Sequence, residues 1–222
     1  MPESTPPSAS HASLLLVESA RYALLRRLAF AMRHQMVVHL QPIGMVTEVM
    51  ERRLRSPTPD MAQVHDSMAK IHGFSKAAVQ SCLDVITWMA PDPAASTPLD
   101  DGARECLGLL RSNFSFRGFA LRDELSEAPL PVARSALRNV LPACLLALTD
   151  VTASPAEIVV RSEMGDEEAS LHITARPVEG TVGFSGDAPY RLLQWHEVEA
   201  LARADNVEVT RGADGAQLLF RA

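Results

Sequence analysis

The chain is poor in the features that would assign it quickly. Of 222 residues only three are cysteine (Cys82, Cys106, Cys144), an odd number, widely spaced and without a CxxC pair. Neither a disulfide framework nor a zinc site is indicated, and a cytoplasmic protein with free thiols is the expectation. No apolar run approaches the roughly 18 residues of a membrane span. The start, MPESTPPSASHAS, lacks a basic stretch followed by an apolar one, so a secretory signal is not expected. There is no excess of basic charge: 21 Lys+Arg stand against 27 Asp+Glu, a net of −6. A general nucleic-acid binder would usually show a basic domain. No internal repeat is visible.

What is present is an ordinary globular composition, 47% hydrophobic and 22% charged. A chain of this size buries a sizeable core without covalent staples. Charge divides unevenly, with a net of +2 over residues 1–91 and −8 over 92–222. The Pro-rich APDPAASTP at 90–98 marks a boundary near residue 92. Pro and Ser dominate the start, and 1–12 is expected to be a disordered tail.

Residues 13–91 read as two long helices. Met32, Met36, His39, Ile43, Val46 and Met50 recur at spacings of 4, 3, 4, 3 and 4, the seam of a coiled coil or bundle. SPTPD at 56–60 breaks the chain, with Asp60 an expected N-cap. A second helix runs to Met89. Val64, Met68, Ile71, Val79, Cys82, Ile86 and Met89 are expected on its buried side, and Gly73 is expected to interrupt it. One hairpin buries its own stripe poorly, so a homodimer forming a four-helix bundle is expected.

Residues 92–222 mix elements. Helices are expected over 99–113, 130–151 (with Pro142 kinking it or marking its true start) and 194–205. Strands are expected over 119–125, 156–164 and 168–177. NVEVTRG and AQLLFRA read as a closing hairpin. The fold class is α+β, with helices on one face of a mixed sheet.

This order of parts resembles the dimerisation and ATP-binding core of sensor histidine kinases, whose ATP-binding domain is of the GHKL type. RHQMVVHLQPI at 33–43 is similar to the family's H-box, His-Asp-Phe-Asn-Asn-Leu-Leu-x-Pro-Ile. That match lays His34 on the phosphoacceptor and Pro42-Ile43 on the Pro-Ile. LPVARSALRNVLPACLLALTDV resembles the helix carrying the family's N-box, and 194–222 its closing helix and hairpin. The departures point one way. Gln35 stands where the family has an acidic residue, and Val37 and Val38 replace paired Asn. Ala147 takes the place of the Asn that holds Mg²⁺, and only Asp150 keeps its type. Thr174-Ala175-Arg176-Pro177 stands where the family shows Asp-x-Gly-x-Gly. About 16 residues follow before the next helix, too few for a full ATP lid. Gly180, Gly183 and Gly186 are the only glycines available for a phosphate loop.

The resemblance therefore implies a dismantled nucleotide site, with no ATP, no cofactor, no resident metal and no autokinase activity. Among degenerate kinases it is similar to ChpT-type histidine phosphotransferases, although those usually keep an acidic residue beside the histidine. From the seam spacing, His34 points away from the bundle, as a phosphoacceptor must. A receiver domain brings its own Asp and Mg²⁺, so the histidine carrier needs access and a free ring nitrogen. Gln35 cannot take the imidazole proton, and Val38 cannot position a hydrolytic water.

The leading expectation is thus a phosphorelay protein acting through His34 with a response-regulator receiver as partner. Arg33, Gln35, Val37, Val38 and Gln41 are the candidate contact residues, with Arg26 and Arg27 as further basic groups toward an acidic receiver. The alternative is a docking protein that transfers nothing, favoured by the two valines. A kinase with an unusual site is a third, minor reading. His39 reads as a core histidine. His65, His72, His172 and His196 show no mutual ligand spacing.

Overall fold

The computed structural model describes residues 9–180, 182–183 and 190–221. Residues 1–8 of the expected tail lie outside these, and helix already begins at Ala9. The elements run α1 (Ala9–Leu54), α2 (Met61–Met89), β1 (Ser96–Pro98), α3 (Leu99–Phe116), β2 (Phe119–Glu124), β3 (Pro131–Ala133), α4 (Arg134–Val151), β4 (Ala156–Met164), β5 (Glu168–Pro177), α5 (Trp195–Ala204), β6 (Glu208–Arg211) and β7 (Gly215–Arg221). A helical hairpin followed by an α/β sandwich is the architecture. Two compact units divide it. One joins the chain up to Phe30 with everything from Pro91 onward, and the other is Ala31–Ala90. The amino half of α1 thus belongs with the sandwich, a division that differs from the boundary at residue 92.

In the sandwich, the five-stranded sheet has the order β2-β4-β5-β7-β6. β2 pairs with β4 in parallel and every other pairing is antiparallel. Alternation sends Ile158, Val160, Leu171, Ile173, Leu218 and Phe220 to the buried face. α3 earns its place on that face through Leu99, Ala103, Cys106, Leu110 and Phe114, all at most 1% exposed. Asp100 and Asp101 sit in its first turn, where the helix dipole favours negative charge. Gly118, at φ +83°, ends it in the left-handed conformation a side chain resists. α5 opens with a capping box between Gln194 and Glu197. β1 and β3 form a small antiparallel pair beside α3 that alternation over three residues does not reveal.

α4 differs from the other helices. From Ala136 to Thr149 every residue but Asn139 is buried. A helix apolar all round needs cover on every side. The sheet and its flanking helices cover one side. Pro142 lies inside the helix without ending it. The amino half of α1 supplies a further apolar stripe, with Val17, Ala20, Ala23, Leu24 and Leu28 buried.

In the second unit, Asp60 caps α2 as expected. Its Oδ1 accepts from the backbone N–H of Ala62 at 3.0 Å and of Gln63 at 3.3 Å. The helix runs through Gly73 without a break. On α1 the expected seam is inward: Met32 is buried, and Met36, His39, Ile43, Val46 and Met50 are half-buried. On α2 the seam keeps Val64 and Ile71 of the expected residues and otherwise follows a different stripe. Val64, Ser67, Ala78 and Ser81 are buried, and Ile71, Phe74, Val85 and Trp88 half-buried. Their spacing is a strict alternation of 3 and 4. Met68, Val79, Ile86 and Met89, expected inside, are 56–66% exposed. Hydrophobicity alone selects the bulkier stripe. Packing selects the one whose small residues admit the neighbouring helix, and Ser67 satisfies its hydroxyl locally. It donates to the Gln63 carbonyl at 2.9 Å and accepts from Arg53 Nη1 at 3.1 Å.

Candidate functional site

His34 is exposed on α1, on the side opposite the Met36–His39–Ile43 seam. Residues three and four apart on a helix are neighbours. Val37, Val38 and Gln41 therefore continue its face, and all three are exposed. Arg33 and Gln35 flank it and are exposed as well. The candidate residues thus share one helical surface. The turn after His34 is apolar, since Val37 is 45% and Val38 47% exposed. Among the residues described, the turn offers the imidazole neither a carboxylate nor a hydroxyl on its own helix face. Sequence reasoning overlooked Leu83 on α2. It is 51% exposed and lies outside the seam. Counting along the antiparallel pair from the Arg53 contacts to Gln63 and Ser67 puts Leu83 level with the His34 turn.

The region resembling a nucleotide site lies at the end of α4. Ala147 is buried. Asp150, the one residue retaining the family's type, has its side chain 3% exposed and both oxygens engaged. Arg27 forms a two-pronged pair with it, Nη1 to Oδ2 at 2.8 Å and Nη2 to Oδ1 at 2.7 Å. Arg117 Nη2 donates to Oδ1 at 2.9 Å, and its guanidinium also reaches Thr149 Oγ1 and the Thr149 carbonyl. Burial pushes the Arg117 guanidinium below its ordinary range, and Asp150 opposes that shift. The Arg117 guanidinium lies over the Phe119 ring at 5.3 Å.

This corrects the reading of Arg27 as a receiver-facing cation: it is buried, because α4 presents a carboxylate that needs a partner. The same stretch of α1 holds the segment before α5. Tyr22 meets Tyr190 edge-on with centroids 5.9 Å apart, and the Arg26 guanidinium lies 5.1 Å from the Tyr190 ring centre. Arg191 Nη2 donates to Ser19 Oγ at 3.1 Å and pairs with Glu197 at 2.7 Å. Arg21 approaches Asp205 at 3.5 Å.

Gly183 serves a close backbone approach. A Cβ there would sit 2.1 Å from the Gly118 nitrogen and the Arg117 carbonyl carbon. A Cβ on Gly180 would meet Pro155 at an ordinary contact distance of 3.8 Å, and Gly186 lies outside the described residues. Among the described residues, no three His, Cys, Asp or Glu side chains gather as a metal would require. Cys106 and Cys144 are buried, and burial pushes both thiols up, Cys144 to about 12, so neither is a nucleophile. No described helix is long and apolar enough to cross a membrane.

No family model and no curated protein matches the chain. Solved structures do. A bacterial phosphotransferase is 16% identical, with 88% of this chain and 94% of that one covered at a TM-score of 0.40. A histidine kinase from Burkholderia phymatum is 16% identical over 88% and 97%, at 0.42. The histidine kinase ThkA, solved in complex with the response regulator TrrA, is 13% identical over 85% of this chain and 58% of its own, at 0.42. At these values the likeness says nothing of what this chain does.

Proposed function

We propose that this chain is a histidine phosphotransferase of two-component signalling, a homodimer that carries a phosphoryl group on His34 and does not use ATP. One observation carries the second half of the proposal. Asp150 is held by two guanidiniums on the buried end of a helix that the chain's own α1 flanks. A metal-nucleotide complex would have to displace Arg27 and open a buried ion pair, at a cost of several kcal/mol.

The first half rests on the H-box resemblance and on the exposure of His34. In the proposed step, the acyl–phosphate bond of a receiver's phosphoaspartate breaks and an N–P bond to the imidazole forms. The aspartate carboxylate leaves, and the imidazole loses its N–H proton to solvent. The receiver supplies Mg²⁺, and this chain supplies access. With Gln35 beside the histidine and Val38 one turn on, neither autophosphorylation nor hydrolysis is supported locally. Arg33, Gln35, Val37, Val38 and Gln41, with Leu83, form the receiver contact. The exposed apolar residues Met61, Met68, Val79, Ile86 and Met89 of α2 make the dimer seam of this proposal. The proposal places the protein in the cytoplasm.

The test is incubation with phosphorylated receiver domains, reading acid-labile phosphate on this chain. Label on the wild type that His34→Ala abolishes, with binding retained, is the expected result. Val37 and Val38, with Leu83, also favour a second reading, a docking protein that transfers nothing. It predicts no label, unchanged binding in His34→Ala and lost binding in Val37→Asp.

A further inference from the structure

The buried stripe on the amino half of α1 nearly repeats itself from one turn to the next. Val17, Ala20, Ala23, Leu24, Arg27 and Leu28 are buried in the unit that this half shares with the sandwich. If the helix slid by one turn toward its carboxyl end, Ser13, Leu16, Ser19, Ala20, Ala23 and Leu24 would take those places. Each set holds two leucines and two alanines. Apolar burial therefore discriminates between the two positions only through Val17. A slide the other way brings Arg21 to the place of Val17 and Arg27 to that of Ala23, and arginines in apolar places oppose it. Against the remaining competitor stands Arg27, the one charge in the stripe. The slid helix would set Ala23 against Asp150 and leave that carboxylate without its main partner, a larger penalty than one valine.

We infer that Arg27 is a positioning residue, whose pair with Asp150 fixes the register of α1 on the sandwich, independently of the function proposed above. The contact is directional enough for that task. It is two-pronged, at 2.8 and 2.7 Å, between side chains that are each 3% exposed. A planar fork on a planar carboxylate tolerates little displacement. Arg117 holds the same carboxylate from a second side at 2.9 Å and is itself tied to Thr149, so the acceptor does not follow a sliding helix. The other polar contacts of this half are weaker guides. Arg191 meets Ser19 at an exposed site, and Arg21 stands 3.5 Å from Asp205. A buried polar group among apolar surfaces that fit in more than one way is best attested in setting register. The helix so fixed runs unbroken from Ala9 to Leu54 and carries His34 seven residues beyond Arg27.

The experiment measures distances in the full chain by pulsed electron spin resonance. One spin label goes on Glu18→Cys in α1, paired in turn with Arg203→Cys in α5 and Asp166→Cys in the turn between β4 and β5, all exposed positions. Cys82→Ser removes the half-buried thiol, and Cys106 and Cys144 are buried. Excess unlabelled protein confines the reading to distances within one chain, and circular dichroism follows helicity in the same samples. The parent is expected to give one distance for each label pair. Arg27→Met/Asp150→Leu is expected to stay helical and to gain a second population, displaced by up to about 6 Å, the rise of four residues. A folded double variant with the parent distances alone overturns the proposal. A second variant exchanges two residues, Ala23→Arg/Arg27→Ala, and so offers Asp150 an arginine one turn earlier. It is expected to give a single displaced population, and it decides alone where the first variant does not fold. Parent distances in the exchange variant, or loss of its helix, overturn the assignment and leave the pair a matter of stability.

Discussion

Arg27 and Asp150 are 123 residues apart in the chain and form its most deeply buried charge pair, 3% exposed on each side. Removing one member leaves the other in the interior without its main partner. Arg27→Ala is expected to cost about 3–5 kcal/mol, measured by urea denaturation. Arg27→Met combined with Asp150→Leu is expected to cost less than the single change, because apolar groups of similar volume replace the pair. Equal losses in the two variants would show the pair to be unimportant and the site to be governed by packing. Glu197 is a second residue-scale case. Burial alone would raise its carboxyl, but Arg191 and the Gln194 N–H hold it below the ordinary carboxylate range. A depressed value stabilises the fold above the unfolded carboxyl value, about 4.3, and that stabilisation is lost as pH falls through the folded value. Glu197→Gln is expected to lower the Tm at neutral pH, with the gap closing below about pH 4. A gap that persists there would assign the effect to packing.

At the scale of the element, α2 separates two stripes that look alike in composition. Val64 lies in the seam and is 5% exposed, whereas Met68 is 56% exposed. Val64→Ala is expected to lower the stability of the hairpin by about 1–2.5 kcal/mol, read by thermal denaturation at a concentration where the chain is monomeric. Met68→Ala is expected to leave that value within about 0.5 kcal/mol and to weaken self-association instead. A stability loss in Met68→Ala as large as that in Val64→Ala would restore the stripe read from hydrophobicity, which held both residues. α4 is the companion case. Its run of apolar residues was readable as a helix, and Pro142 did not end it, because surrounding contacts outweigh the lost ladder bond. What the run alone did not state is that its outer side is covered too. That follows from the burial of Ala143 to Thr149 together with Arg27.

At the scale of the whole molecule, the predictive reach of the chain was uneven. Phosphotransfer through His34, lost in His34→Ala with binding retained, is the prediction that belongs here, because it needs the proposed dimer, the exposed histidine and a second protein together. Strands β4 and β5, the Asp60 cap and the α1 seam were legible in the chain itself, since period 2, period 3.5 and capping chemistry are local properties. The exposure of His34 followed from the seam. The order of strands in the sheet, the choice between two stripes on α2, and the burial of Arg27 were not local. Each depends on which surfaces meet. Small residues such as Ser67 and Ala78 carry no hydrophobic signal yet permit the closest approach, and an arginine reads as surface charge until a distant carboxylate claims it. The amino acids by themselves determined the elements and the exposed histidine. Only the tertiary structure decided that Asp150, at the end of α4, is taken up by an internal ion pair with Arg27.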